Sequence, residues 1–248
     1  MPFSGDVMPT SSLLTSATNP SVASSITLGS GYWTTTYKRS NCVAERSGTA
    51  KYSDAAPASG TYALREYTSS GSCVINSSGM LVPMTSDKTV LHSKITSLVA
   101  GGSTAGHVGT AWTYYMLSPN WASVLPSASK PVAYGTANTK KIAVLMTDGE
   151  YNSTHDSNGV TTGSTGAGSS VNVADSPTQA QSICTSMKNN GIEVYTVGFN
   201  LGGNATAITT LSNCATDATH FYNSETGDAL KSAFNDIALK ISTLYLAQ

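Results

Sequence analysis

Three observations predict an α/β fold built on a mostly parallel sheet. The run Ile142-Ala143-Val144-Leu145-Met146 is continuously apolar and stops abruptly at Thr147-Asp148-Gly149, as a strand buried on both faces does. A second run of the same kind spans Ile192 to Phe199. Around both lie segments with apolar residues at helical spacing, and strands that alternate with helices in one sheet need parallel, right-handed crossovers. Ligands bind at the carboxyl edge of such sheets, so the first run delivers Asp148 to the edge that matters for function.

Residues 8–80 come first and are dominated by Ser, Thr, Gly, Asn and Pro, with scattered Tyr32, Trp33, Tyr37, Tyr62 and Tyr67. No helical period lasts there, so short strands and loops are expected, forming an insertion whose aromatics pack onto the parent domain; the alternative is that they present a partner-binding face. From Leu81 the pattern becomes regular: a short strand over 81–84, then Ser86 as N-cap of a helix with Val90, Leu91, Ile95 and Leu98 on one face. Gly101 and Gly102 end that helix, and a loop carrying Ser103 and Thr104 follows. The next helix runs from about His107 to Leu117 with Val108, Ala111, Trp112 and Tyr115 inward, and Pro119 stops it. After a loop over 118–138 comes the strand ending at Asp148, then a loop rich in Gly, Ser and Thr over 153–175. Ser176 and Pro177 open a helix with Ala180, Ile183, Cys184 and Met187 on one face and Gly191 at its end. The strand to Phe199, a short helix over 205–211, a strand over 220–222 and a last helix with Leu230, Phe234, Ile237, Ile241 and Leu244 complete the chain. The economical reading of 248 residues is one domain, with 8–80 as the insertion and 81–248 as the α/β core.

Net charge is -1, which offers no argument for nucleic acid or an anionic membrane surface as partner. Charged residues are 11% of the chain, against roughly 25% in an average globular protein, so hydroxyls and backbone solvate the surface. Exported and cell-surface proteins share this trait. Cys42, Cys73, Cys184 and Cys214 lack C-x-x-C spacing, and their even number fits two disulfides in an oxidising compartment. Of three connectivities, Cys42 with Cys73 and Cys184 with Cys214 closes the shortest loops; the alternative is four buried reduced thiols. No apolar run approaches the roughly 18 residues needed to span a bilayer.

The chemistry at the sheet edge has two readings. A hydroxyl from Thr104 and the carboxylate of Asp148 suit a hard cation such as Mg²⁺, Mn²⁺ or Ca²⁺, with Ser103 and Glu150 as secondary candidates. A hydrolase reading draws on Ser103, Asp148 and His155 or His220, which occur in the order of α/β-hydrolase triads. The nucleophile elbow, however, needs G-x-S-x-G straight after a strand; here the register is Gly101-Gly102-Ser103-Thr104-Ala105 and a helix precedes it. A D-x-D phosphatase is excluded by the single carboxylate of M-T-D-G. His92, His107, His155 and His220 show no metal-ligand spacing and read as solvent or packing residues.

The G-G-S-T-A-G loop and V-L-M-T-D-G-E, in this order, resemble the von Willebrand factor A domain and its metal-ion-dependent adhesion site. That family takes a threonine from its second loop and an aspartate from its third, which Thr104 and Asp148 match. Its first loop, D-x-S-x-S, has no counterpart in this sequence. The strings S-D-K-T-V-L-H-S-K-I-T-S-L-V-A-G-G-S-T-A-G-H-V-G-T-A-W, Y-Y-M-L-S-P-N-W, V-L-M-T-D-G-E-Y-N and I-E-V-Y-T-V-G-F look like TadG-type proteins of tight-adherence (Flp) pilus assembly, over most of residues 81–248. The opening M-P-F-S-G-D-V is similar to the end of that family's second strand. The resemblance thus implies a doubly wound, Rossmann-type sheet whose first strand, first helix and membrane anchor are missing from this sequence, as in an N-terminally truncated copy or one with a misplaced start. It also implies a non-catalytic domain of the bacterial envelope, periplasmic or surface-exposed, in which a bound cation captures an acidic residue of a pilus or envelope protein. A metal-independent interaction domain is the alternative, and an envelope hydrolase the more distant one.

Overall fold

The computed structural model describes residues 7–73, 79–99, 104–161 and 176–246. Among them, two three-stranded sheets are formed. β1 (Ser25–Ser30), β2 (Trp33–Arg46) and β3 (Ala63–Thr68) are antiparallel, while β4 (Ile142–Thr147), β5 (Glu193–Phe199) and β6 (Phe221–Ser224) are parallel in that order. The helices are α1 (Ser11–Ala17), α2 (Lys88–Ser97), α3 (Gly106–Leu117), α4 (Ser176–Asn189), α5 (Ala205–Cys214) and α6 (Gly227–Leu246).

β4 and the middle of β5 are largely apolar because helices pack on both faces of the parallel sheet. Ala143, Leu145 and Val194 point into a core shared with α3 and α4. Their neighbours Ile142, Met146, Tyr195 and Val197 point the other way, onto Leu230, Ile237 and Ile241 of α6. On α4, Ala180, Ile183, Cys184 and Met187 are all buried, as their spacing predicts. That helix closes with the paired bonds Ile192 N to Met187 O and Gly191 N to Lys188 O, and Gly191 adopts φ 72° to allow it. The stripe on α6 is less complete: Ile237 is buried, but Phe234 faces solvent, and the side chain of Leu244 lies outside the described set.

α3 anchors the centre. Trp112 and Tyr115 meet Trp121, whose ring stacks on Tyr115 at 4.0 Å between centroids. Such pairs contribute about 0.5–1.5 kcal/mol beyond the area they bury. Arg46, at the end of β2, lies over both Tyr115 and Trp121 and donates to the carbonyls of Thr61 and Ala55 at 2.5 and 2.6 Å. Leu13, Leu14, Ala17, Val43 and Ala63 enter this same core, so α1, β2 and β3 are packed against the α/β layers.

Several expectations need correction. Residues 81–84 form no strand: Leu81 N–H donates to Met8 O, and a single parallel bridge joins Met8 to Met80. The cap of α2 is Asp87, whose carboxylate accepts from Thr89 N at 2.8 Å and Val90 N at 3.3 Å; its charge also complements the helix N-terminus, which Ser86 cannot do. Its stripe of Val90, Leu91, Ile95 and Leu98 is exposed, because helical spacing selects a face without supplying a partner for it. The glycines expected to end α2 lie outside the described residues. In the insertion, β2 is fourteen residues long where short strands were expected. α1, seven residues capped by Thr10, was not expected at all, being too short to show a period. Tyr67 is buried, but Tyr32 (104% exposed) and Trp33 (89%) stand at the β1–β2 hairpin tip. The cysteines form two disulfides, Cys42 with Cys73 and Cys184 with Cys214, with Cα separations of 5.4 and 5.0 Å.

Candidate functional site

β4 ends at Thr147, whose hydroxyl accepts from Gly149 N at 3.3 Å and donates to Gly149 O at 3.0 Å. This local turn fixes the backbone around Asp148 and leaves Asp148 exposed at the carboxyl edge of the sheet. Glu150, two residues on, is half-buried. The Thr104 segment is tied to the chain that leaves this turn: Thr104 N donates to Asn152 Oδ1 at 2.8 Å, while Thr104 O accepts from Asn152 N at 2.8 Å and Ser153 N at 3.1 Å. Thr104 and Asp148 therefore lie on two loops joined by three hydrogen bonds. Ser103 lies outside the described residues.

Two supports of this edge were not picked out from the sequence. Asn152 makes two of those three bonds, accepting from Thr104 N with its Oδ1 and donating its backbone N–H to Thr104 O, and its only signal was its place in D-G-E-Y-N. Tyr151 is buried against Gly106 at the start of α3, where any Cβ would meet the tyrosine ring. Burial pushes the Tyr151 hydroxyl up to about 12. For a hard cation such as Mg²⁺, which takes six oxygens, Thr104 would offer a hydroxyl and Asp148 a carboxylate, with Glu150 two residues further on. The oxygen chemistry of these residues fits such an ion, whose remaining ligands would have to come from solvent or a partner.

The histidines considered for hydrolysis sit elsewhere. His220 engages Asp217 through Nδ1 at 2.8 Å and Glu193 through Nε2 at 2.9 Å. His155 is buried, with Nδ1 on Glu45 at 2.8 Å and Nε2 towards Glu66 at 3.9 Å, so neither ring offers a nitrogen to Asp148. Burial opposes the charged form of His155, but Glu45 and Glu66 outweigh it and raise its pKa to about 10. These histidines are thus held by carboxylates, a role that spacing alone did not disclose. A different serine–histidine–carboxylate chain does exist: Ser176 Oγ lies 2.6 Å from His107 Nδ1, and His107 Nε2 lies 2.5 Å from Glu45 Oε1. All three are buried, and the cavity beside Glu45 and His107 measures only about 10 Å³, room for a single water. A larger cavity, about 380 Å³, runs beside β4 and is lined by Val144, Met146, Leu81, Gly109, Thr113 and Met116 among others.

A model of the family described as von Willebrand factor type A domain matches residues 80–236. No curated protein matches significantly. Among solved structures, the pilus adhesin SpaC from Lactobacillus rhamnosus GG in its open conformation is similar at 16% identity and TM-score 0.43, over 73% of this chain and 23% of that one. The vWF domain of the type V pili tip protein Mfa5 from Porphyromonas gingivalis gives 16% and 0.43, over 73% of this chain and 76% of that one. The chain thus spans under a quarter of SpaC. Likenesses this distant carry no ligand or partner over.

Proposed function

This chain belongs to the von Willebrand factor type A domain family, and on that premise we propose that it is a non-catalytic, protein-binding domain of a TadG-type pilus-assembly protein of the bacterial envelope. The observation that carries the reading is the exposed Asp148 at the carboxyl edge of the parallel sheet, with the Thr104 loop hydrogen-bonded to the segment that follows it. The helices on both faces of β4-β5-β6 support a doubly wound sheet, and the shared core supports residues 8–80 as an insertion on 81–248 within one domain.

Thr104 and Asp148 would hold a Mg²⁺, Mn²⁺ or Ca²⁺ ion, with Glu150 and, by its place in the sequence beside Thr104, Ser103 as secondary candidates. The ion, when bound, supplies an electrophilic coordination position for a partner's carboxylate. Asp148 contributes the negative charge that holds it, and the Asn152 bonds keep the Thr104 loop at the same edge. With two side-chain ligands, affinity of the chain alone should be on the order of millimolar or weaker. Calorimetric titration with Mg²⁺ and Mn²⁺ tests this, and Asp148→Ala should abolish the residual heat. A chain given a D-x-S-x-S loop should bind markedly tighter, and Asp148→Ala in that protein should remove both metal and metal-dependent partner binding. If wild type and Asp148→Ala bind an envelope partner equally in the presence of chelator, the metal-independent interaction reading replaces this one.

A further inference from the structure

Under the antiparallel sheet, β2, β3 and the loop after β4 converge on a second group of metal-ligating side chains. Cys42 of β2, Glu66 of β3 and Cys73 bring two sulfurs and a carboxylate oxygen within 4.8 Å of one another. Cys42 and Glu66 are fully buried. Ser40 occupies one carboxylate oxygen, donating to Glu66 Oε2 at 2.6 Å while accepting from Cys42 N at 3.0 Å. Glu66 Oε1 is buried without a hydrogen-bond partner, and so is His155 Nε2, which faces it at 3.9 Å, too far for a hydrogen bond.

The orientation of His155 is built in. Glu45 accepts from its Nδ1 at 2.8 Å and from its backbone N–H at 3.0 Å, which locks the ring and aims Nε2 at Glu66. A carboxylate on one imidazole nitrogen with the other left open is how proteins orient a histidine that ligates metal. The charge balance points the same way. Both imidazoles, His107 and His155, bond to Glu45, so apart from the Ser40 hydroxyl the described residues set only the distant Nε2 against the buried Glu66 carboxylate. A buried carboxylate is stabilised when a cation completes its shell.

We propose that Cys42, Cys73, Glu66 and His155 form a redox-gated Zn²⁺ site, closed to metal while the disulfide is intact and loaded when it is reduced. The reductant is a dithiol: it gives two electrons and two protons, the bond between the two sulfurs breaks to two thiols, and the dithiol becomes its own disulfide. Zn²⁺ then displaces one proton from each thiol and one from His155 Nε2, all released to water, because each ligand binds metal deprotonated. His155 keeps its Nδ1 proton towards Glu45. Tetrahedral zinc with sulfur at about 2.3 Å sets the two sulfurs about 3.8 Å apart, against about 2 Å in a disulfide, so on reduction they must part by more than about 1.5 Å, and His155 Nε2, which lies 3.9 Å from Glu66 and outside the group of Cys42, Glu66 and Cys73, must move in towards them.

The test uses the full chain reduced with a phosphine and titrated with Co²⁺ alone, then with Zn²⁺. One Co²⁺ per chain is expected, with thiolate-to-cobalt absorption in the near ultraviolet and tetrahedral bands in the visible, both removed by Zn²⁺ and absent from the oxidised chain. Cys184→Ala with Cys214→Ala should leave the signal unchanged. Glu66→Gln and His155→Gln should each weaken Co²⁺ binding at least about tenfold, and Glu66→Asp, which keeps a carboxylate, should retain more affinity than Glu66→Gln. Circular dichroism of each reduced variant establishes that it is folded; where one is not, the remaining substitution at the other ligand decides. Absence of Co²⁺ uptake, unchanged affinity in the folded Glu66 and His155 variants, or absorption that survives Cys42→Ser with Cys73→Ser overturns the proposal.

Discussion

His220 shows how a single side chain ties the end of one strand to the next. Burial lowers its pKa, but hydrogen bonds to Asp217 and Glu193 outweigh this and raise it above 6.5. Burial likewise raises Glu193, while bonds from Tyr195 and His220 bring it below 4.5. His220 therefore adds stability that is complete below about pH 6.5 and lost as pH climbs through its folded-state value; the Glu193 contribution is present above about pH 4.5 and lost on acidification. His220→Gln should accordingly lower the urea midpoint most near pH 5.5, by the equivalent of up to about 1 kcal/mol, and much less near pH 8.5. A deficit of equal size at both pH values would show that packing against Tyr195, not charge, is what His220 supplies. At the same scale, Asp148 is legible in the sequence because an aspartate closing an apolar run has few other places to be. Asn152 was not, since its role rests on a contact with a loop 48 residues away.

At the scale of elements, two glycines of α3 separate packing from propensity. Gly109 has open space where a Cβ would stand, so Gly109→Ala should stabilise the helix by about 0.5–1 kcal/mol in thermal or urea unfolding. Gly106 lies under the Tyr151 ring, and Gly106→Ala should destabilise by about 1–3 kcal/mol despite the same propensity gain. If both substitutions stabilise, Tyr151 yields easily and the docking of the Thr104 loop is softer than drawn. The disulfides make a second element-scale prediction. Cys184 and Cys214 are 30 residues apart and join α4 to the end of α5, so replacing both by alanine should cost roughly 3–4 kcal/mol on the chain-entropy model. Peptide mapping without reduction should recover the Cys42–Cys73 and Cys184–Cys214 pairs, and crossed pairs would contradict the topology.

For the molecule as a whole, the salient feature is the flank of β4. Among the described residues this strand pairs only with β5, and the cavity of about 380 Å³ beside it is bordered by exposed Val144. α2 presents an exposed apolar stripe as well. An open strand edge beside apolar surface promotes association. Light scattering at rising concentration should therefore report self-association that Val144→Lys reduces, because a charge beside an open strand opposes edge-to-edge pairing. Scattering that is the same for both proteins, and rises with salt alone, would point to α2 instead.

What the sequence determined by itself was everything carried by period and punctuation. Apolar runs ending in T-D-G, the face of α4 closed by Gly191 and the inward stripe of α3 all follow from forces acting over a few turns of chain. They located the parallel sheet and the edge where Asp148 and Thr104 lie. Tertiary structure alone decided what those patterns meet. The stripe on α2 remains exposed, and residues 81–84 have a strand's composition without a strand's neighbour. His107, His155 and Glu66 are buried together with Glu45 although no spacing relates them. Periodicity reports which face of an element avoids water, whereas the pairing of a carboxylate with an imidazole 110 residues away depends on how the layers close.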